Sequence, residues 1–265
     1  MLSLWQRCSL IIGYWHHWLN AVNQHSLHAP FIYQFYQQVV CNRQSHSGFA
    51  AIEQYRKSLL KSEEDVSVQP MGAPSTVNTS STRSVKSIAR HSLSVPKFGR
   101  FLYNVVQFQQ PKYIVELGTA LGATTLYLSI ADEQSTVYTL EGSTQIAEIA
   151  SQAFADFHRQ NIELIKGNID DTLPQLLQKI PQVDLAYVDA NHRLEPTLNY
   201  FSQLLAKTNE ESILIFDDIH WSFGMRKAWK TIIQHPQVTL SIDVFDAGLV
   251  FFHPSAVKQH YYLKL

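Results

Sequence analysis

The stretch ILIFDDIHWS, residues 213–222, places four apolar residues directly before two aspartates, a histidine and a tryptophan. Four consecutive apolar residues predict a strand that is buried on both faces, as in a parallel sheet covered by helices. Asp217 and Asp218 are charges that a protein interior rejects unless they are paired or bind a cation. The strand therefore ends at a polar site, and in open parallel sheets ligands bind at the carboxyl ends of the strands.

Short apolar strands alternate with helical segments on both sides of this stretch. The predicted strands read KYIVEL from residue 112, TVYTLE from 136, NIELIKG from 161, VDLAYVDA from 183 and SILIFDD from 212. Two final strands, 238–245 and 248–253, have no helix between them, so we expect an antiparallel pair at the sheet edge. The predicted fold class is α/β, a doubly wound, mostly parallel seven-stranded sheet with an N-terminal helical extension.

We divide the chain into residues 1–66, the helical extension, residues 67–84, a flexible linker or lid loop, and residues 85–265, the main domain. Residues 67–84 are rich in Ser, Thr, Pro and Gly and offer little to bury. The first 20 residues predict an amphipathic helix with polar interruptions too early for a membrane span, and without the features of a signal peptide. We expect this helix to pack against the rest of the protein, and contact with a membrane surface is the alternative.

Composition limits the classes of partner. The 265 residues are 45% hydrophobic, and 21 Lys and Arg against 22 Asp and Glu give a formal charge of -1. No basic field predicts a nucleic-acid partner. Cys8 and Cys41 show neither a metal spacing nor a disulfide framework, so we expect a reducing compartment and a cytoplasmic location.

A glycine-bearing turn follows the first strand of the main domain, in VELGTALGATT from residue 115. Gly118 and Gly122 permit a tight turn, and the following helix offers unpaired N–H groups to a ligand. Glu116 precedes the turn. The spacing lacks the G-x-G-x-x-G of dinucleotide sites, which disfavours a nicotinamide cofactor. A turn without function is the alternative.

Polar residues also end the next two strands. Glu141 ends the second strand, where an acid is suited to accept hydrogen bonds from a ribose diol. Asn168 and Asp170 follow the third strand, where an amide and a carboxylate suit an adenine edge. Capping of the following helix is the alternative for Asp170 and Asp171.

The motifs VELGTALG, TLEGS, KGNIDD, AYVDANH and LIFDDIH, in this order on five strands, resemble those of the class I S-adenosylmethionine-dependent methyltransferases. Within that superfamily the chain is most similar to the catechol O-methyltransferase-like group. The resemblance covers residues 87–265, so the main domain is expected to be a methyltransferase domain. It implies a cofactor site for S-adenosylmethionine made of Glu116, Gly118, Ala120, Gly122, Thr124, Glu141, Gly142, Asn168, Asp170 and Asp189.

The resemblance also implies a divalent-cation site. Asp189, Asp217 and Asp218 correspond to the metal ligands, with Asp218 where the group usually has an asparagine. Three carboxylates suit Mg²⁺, which takes oxygen ligands. In the competing account Asp217 pairs with Arg193 or Arg226, and Asp218 caps the helix that starts near residue 223.

The residue in the position of the group's usual lysine is His192, three residues after Asp189. A histidine titrates near neutrality and is able to accept a proton from a hydroxyl group, so His192 is the candidate catalytic base together with Asp189. The alternative is that His192 caps a helix or holds Asp189. For His220 the sequence leaves three roles open, namely lining the pocket, binding metal or packing beside Trp221.

The sequence therefore predicts S-adenosylmethionine-dependent methyl transfer to a small-molecule acceptor, at a hydroxyl oxygen and with Mg²⁺ assistance. The alternatives are a metal-independent methyltransferase that acts on nitrogen or a larger acceptor, and a non-catalytic protein that binds the cofactor. We expect no membrane span and no nucleic-acid partner, and a homo-oligomer is compatible with the sequence.

Overall fold

The computed structural model describes residues 4–27, 29–67, 82–254 and 257–265. Its helices are α1 (Leu4–Asn20), α2 (Pro30–Phe35), α3 (Gly48–Leu59), α4 (Val85–Ser92), α5 (Pro96–Gln109), α6 (Ala123–Ala131), α7 (Thr144–Asp156), α8 (Ile169–Lys179), α9 (Leu194–Leu205) and α10 (Phe223–Gln234). Its strands are β1 (Ala21–Val22), β2 (Asp65–Ser67), β3 (Thr82–Ser84), β4 (Tyr113–Leu117), β5 (Thr136–Glu141), β6 (Ile162–Lys166), β7 (Leu185–Val188), β8 (Ile213–Asp217), β9 (Leu240–Asp243), β10 (Ala247–Phe251) and β11 (Gln259–Leu263).

The large sheet follows the strand order β1-β11-β9-β10-β8-β7-β4-β5-β6, and β2 and β3 form a separate antiparallel pair. The chain divides into two compact units, one of residues Met1–Cys41 with Leu177–Leu265 and one of residues Asn42–Leu176. Most of the predicted linker, residues 68–81, lies outside the described residues. The predicted boundaries at residues 66 and 84 therefore stay predictions.

In the first unit, β8 is the buried strand that the opening stretch predicted. Ile213, Leu214, Ile215 and Phe216 are all buried. The strand pairs in parallel with β7 and antiparallel with β10, which pairs antiparallel with β9. Beyond β9 the sheet continues in parallel with β11 and then β1. Asp217, the last residue of β8, lies opposite Ala247 in this register.

In the second unit, β4, β5 and β6 pair in parallel. Phe49 and Ile52 of α3 pack into a cluster that contains Leu126 and Phe154 of α6 and α7. A second cluster gathers buried residues of α3, β2, α4, α7 and the turn after β4 around Leu121. The hydroxyl of Tyr55 also donates to the carbonyl of Leu121 at 2.8 Å. Helices α3 and α4 therefore support the glycine-bearing turn directly.

The structure confirms the α/β fold class and the seven predicted strands, but the large sheet has nine strands within the described residues. The two additional strands are β1 and β11, so the antiparallel pair β9–β10 is not at the sheet edge as predicted. The segment 84–110 forms two helices, α4 and α5. Val95 has extended backbone angles before Pro96, because proline disfavours a helical residue before it.

None of the described helices is both long and apolar enough to cross a membrane.

Candidate active site

The turn between β4 and α6 depends on left-handed backbone angles. Gly118, Ala120 and Gly122 have φ values of 99°, 45° and 77°. A Cβ atom on Gly122 would lie 2.7 Å from a ring carbon of Phe154. Glycine is therefore required at residue 122 for both backbone angle and space. The turn places the first N–H groups of α6 at the carboxyl end of β4, where an N-terminus favours polar or negative groups.

Glu116 lies inside the fold. Its side chain is fully buried, and Oε2 accepts hydrogen bonds from the hydroxyls of Thr125 at 2.5 Å and Thr139 at 2.6 Å. These bonds connect β4 to β5 and α6, which gives Glu116 a structural role beneath the turn. Its predicted place in the cofactor site stays a prediction. Thr124, the other predicted residue here, is half-buried in the first turn of α6.

Glu141, the last residue of β5, is held by two backbone groups. Oε2 accepts from the N–H of Ala120 at 2.9 Å, and Oε1 accepts from the N–H of Ser143 at 2.9 Å. The half-buried side chain and Gly142 beside it thus form a preorganised acceptor at the end of β5.

Asn168 caps α8. Its Oδ1 accepts from the N–H of Asp170 at 3.2 Å, and its carbonyl accepts from the N–H of Thr172 at 2.9 Å. Asp170 and Asp171 lie in the first helical turn, where negative charge is favoured by the helix dipole. Asn168 and Asp170 are both exposed at the end of β6. The residue that caps α8 is therefore Asn168, and not Asp170 or Asp171.

The predicted catalytic residues lie in the first unit, after β7 and β8. The Nε2 of His192 is 3.3 Å from Oδ1 of Asp189, and its Nδ1 is 3.9 Å from Oδ2 of Asp218. Asp217 lies close enough to Asp189 and Asp218 for their charges to act on its pKa. The structure thus brings His192 and the three predicted carboxylates into one cluster, which we name the acid–histidine cluster.

The backbone of the cluster is also constrained. Asn191, His192 and Asp218 have φ values of 66°, 41° and 53°, in the left-handed region. The amide of Asn191 donates to the hydroxyl of Tyr200 at 2.8 Å, and the N–H of Asp218 donates to the carbonyl of Asp246 at 2.8 Å. Left-handed angles at residues other than glycine cost free energy, and they concentrate at functional sites.

Charge repulsion and burial shift the cluster's proton affinities. Burial, followed by the charges of Asp189 and Asp218, raises the pKa of Asp217 well above its ordinary value. Burial also raises the pKa of Asp218 to about 6, with Asp189 and Asp246 acting in the same direction and His192 against it. For His192, burial lowers the pKa, but the hydrogen bond and charge of Asp189 and the charge of Asp218 outweigh burial and raise it. The cluster therefore holds a histidine with increased proton affinity.

His220 is part of a separate buried contact. Its Nε2 lies 2.8 Å from Oδ2 of Asp243, and its ring stacks on Phe245 with centroids 5.3 Å apart. Asp243 also accepts from the N–H of Phe245 at 2.8 Å and is almost completely buried. The structure supports a packing role for His220 with Phe245 as the stacked partner, and packing beside Trp221 stays a prediction. Sequence reasoning did not single out Asp243, although an acid at the end of an apolar strand was the available signal.

Among the described residues, no group of three or more His, Cys, Asp and Glu side chains is arranged to hold a metal ion. The carboxylate oxygens of the acid–histidine cluster are chemically suited to Mg²⁺, but their present arrangement is not a ligand set. In the competing account, Asp218 was the predicted cap of α10. That cap is Ser222, whose Oγ accepts from the N–H of Met225 at 3.1 Å. Arg193, an alternative partner for Asp217, donates to Oδ1 of Asn191 at 3.1 Å.

Comparison with known proteins agrees with this fold. Residues 115–219 match the family model of a methyltransferase domain. A catechol O-methyltransferase of Niastella koreensis is 26% identical over 176 residues, which are 64% of this chain and 73% of that protein.

Two solved structures show the same fold. The SAH-bound methyltransferase of Podospora anserina has a TM-score of 0.59 at 17% identity, covering 86% of this chain and 98% of its own. The O-methyltransferase of Bacillus cereus in complex with SAH has a TM-score of 0.58 at 20% identity, covering 83% of this chain and 97% of its own.

The family match and the Niastella relative confirm the resemblance that the five motifs predicted. The chain is similar to the class I S-adenosylmethionine-dependent methyltransferases and, within them, to the catechol O-methyltransferase-like group. The two solved structures support the fold alone.

Proposed function

We propose that this protein transfers a methyl group from S-adenosylmethionine to a hydroxyl oxygen of a small-molecule acceptor. The observation that carries this proposal is the acid–histidine cluster, in which His192 lies between Asp189 and Asp218. The raised pKa of His192 suits a group that must accept a hydroxyl proton. Relatives that are named O-methyltransferases support the same acceptor atom.

We propose that the second unit binds the cofactor through the residues predicted from sequence. Gly118 in the left-handed turn has no side chain, which permits close backbone approach by a ligand, and Glu141 is a charged acceptor suited to a ribose diol. Asn168 and Asp170 are exposed at the end of the adjacent strand β6, where the adenine ring is expected. A cofactor with a ribose and an amino-acid end matches this succession of groups.

When bound, S-adenosylmethionine supplies an electrophilic methyl group on a positively charged sulfur. With the cofactor bound, His192 would accept the hydroxyl proton of the acceptor. The acceptor oxygen would take the methyl group as the sulfur–carbon bond breaks, which would give a methyl ether and S-adenosylhomocysteine. Asp189 contacts His192 and stabilises the imidazolium that forms. The protein's remaining task is to align the acceptor oxygen with the methyl group.

Mg²⁺ assistance stays a separate prediction. Its support is the charge of the three carboxylates, whose mutual repulsion a divalent cation would relieve. Because the described arrangement is not a ligand set, we assign no step of the reaction to the ion.

The proposal is tested by a methyl-donor assay that compares catechol-like and other hydroxylated acceptors with amine acceptors. Each acceptor is assayed with and without a chelator. We expect transfer to hydroxyl groups, with His192→Ala lowering kcat by about 10²–10⁴-fold while cofactor affinity changes little. Full activity of His192→Ala, or transfer to amines alone, would contradict the proposal.

The chelator tests the metal prediction separately. Loss of activity in chelator that Mg²⁺ restores supports the metal prediction, and activity retained in chelator overturns that prediction alone.

A further inference from the structure

Helix α1 exposes a continuous apolar face. Residues 11, 15, 18 and 19 follow the spacing that places side chains on one side of a helix, and residue 12 borders them. Their exposed fractions range from 46% for Trp18 to 71% for Leu19. We define the apolar face by its members Ile11, Ile12, Trp15, Trp18 and Leu19. The sequence predicted that α1 packs against the rest of the protein, but the apolar face of α1 is exposed.

The opposite side of α1 is fixed to the fold of the first unit. Gly13 and His17 are buried there, and Nε2 of His17 lies 3.1 Å from the carbonyl oxygen of Asp243. A Cβ atom on Gly13 would lie 3.2 Å from Nδ1 of His220, so the helix approaches closely. Directly after the helix, β1 pairs with β11. The apolar face is therefore held outward by contacts on the other side of the same helix.

A cation borders the apolar face. The Nζ of Lys264 lies 4.9 Å from the ring centroid of Trp18. Helix α1 itself contains no Asp or Glu residue. A helix without acidic residues and with a cation at its exposed face is complementary to an anionic partner.

We propose that α1 binds the surface of a membrane that contains anionic lipids, with its apolar face inserted at the boundary between headgroups and acyl chains. Trp, Ile and Leu side chains on an amphipathic helix, here with the cation of Lys264 beside them, suit a helix that lies in this boundary. The 17 residues of α1 extend for about 25 Å along the membrane plane. A second copy of the chain is a poorer occupant, because pairing two such faces brings like charges together, whereas anionic headgroups attract them.

The test uses the full chain and flotation with two kinds of vesicle, phosphatidylcholine alone and phosphatidylcholine mixed with phosphatidylglycerol. We expect the wild type to bind the mixed vesicles, and the double variant Trp15→Ser with Trp18→Ser to bind about tenfold more weakly or worse. Lys264→Gln, which removes one positive charge, should weaken binding to the mixed vesicles by about fivefold. Val95→Ser, which also replaces an exposed apolar residue, is the matched control and should bind like the wild type.

A second measurement uses only the wild-type protein and so does not depend on folded variants. Lipids brominated along their acyl chains should quench its tryptophan fluorescence. Absence of flotation and quenching, or equal binding by the double variant, would overturn the proposal. A concentration-dependent dimer in sedimentation velocity, lost in the double variant and accompanied by no vesicle binding, would assign the apolar face to a second copy and also overturn it.

Discussion

At the residue scale, Glu141 is the side chain on which cofactor affinity should depend most directly. Its carboxylate is already held by the N–H groups of Ala120 and Ser143, so little order is lost when a ribose binds. We expect Glu141→Ala to weaken S-adenosylmethionine binding by about 1.5–3 kcal/mol, the range for hydrogen bonds to charged groups. Calorimetry measures this change, and Glu148→Ala, which removes an exposed acid of α7, is the control. Equal affinities of wild type and Glu141→Ala would place the ribose elsewhere.

Asp218 has left-handed backbone angles, and burial makes its ionised form unfavourable in the folded protein. Asparagine tolerates a φ of 53° almost as well as aspartate does, whereas alanine does not. The raised pKa means that ionised Asp218 is less favoured in the folded state than in the unfolded state. We therefore expect Asp218→Asn to be at least as stable as the wild type at neutral pH, and Asp218→Ala to be about 1 kcal/mol less stable than Asp218→Asn. Urea unfolding compares the three proteins, and a destabilised Asp218→Asn would show that a cation compensates this charge.

Residue identity alone predicted where the site residues lie in the chain but not all of their contacts. The acids at the ends of apolar strands were visible because buried strands rarely end in unpaired charge. The contacts of Glu116 were not predictable in this way. Its partners Thr125 and Thr139 are 9 and 23 residues away in the sequence, and only the folded sheet brings them together. The same holds for His220, whose partner Asp243 belongs to a different strand.

At the element scale, Asp243 joins the end of β9 to the turn after β8 and to α1. It accepts from His220 and from the N–H of Phe245, both at 2.8 Å, and its carbonyl lies near His17. We expect Asp243→Ala to lower the free energy of unfolding by about 2–3 kcal/mol, because His220 would be left buried without its partner. Denaturant unfolding measures the loss, and amide exchange should show faster opening of α1. Asp243→Asn retains one acceptor and should lose less stability, and equal stability of wild type and Asp243→Ala would contradict this role.

Local patterns predicted most of the elements, because strand and helix periodicities depend on neighbouring residues. Strands β1 and β11 were missed because β1 has only two residues and their pairing joins Ala21 to Tyr262, far apart in the sequence. The exposed side of α1 was missed for a related reason. An amphipathic pattern shows that a helix has two faces, but not which face the remaining chain covers.

At the scale of the whole molecule, histidines whose pKa is lowered by burial make stability sensitive to mildly acidic pH. His260 on β11 is a clear contributor, with Nδ1 2.7 Å from Oγ of Ser241. Burial lowers the pKa of His260, and the nearby His16 and His220 act in the same direction, while Asp243 opposes them. The unfolded chain therefore binds a proton at His260 more readily than the folded chain does.

Because the folded-state pKa is depressed, the stability that His260 contributes is fully present above the unfolded-state pKa of about 6.5 and is lost as pH falls through the folded-state pKa. We expect the wild type to lose more unfolding free energy than His260→Gln when pH is lowered from about 7.5 to about 5.5, because glutamine does not titrate. Urea unfolding at both pH values measures the two losses. His91→Gln, on the exposed side of α4, controls for removal of a histidine as such. Equal losses in wild type and His260→Gln would contradict the prediction, and a greater loss in His260→Gln would mean that the attraction of Asp243 outweighs burial.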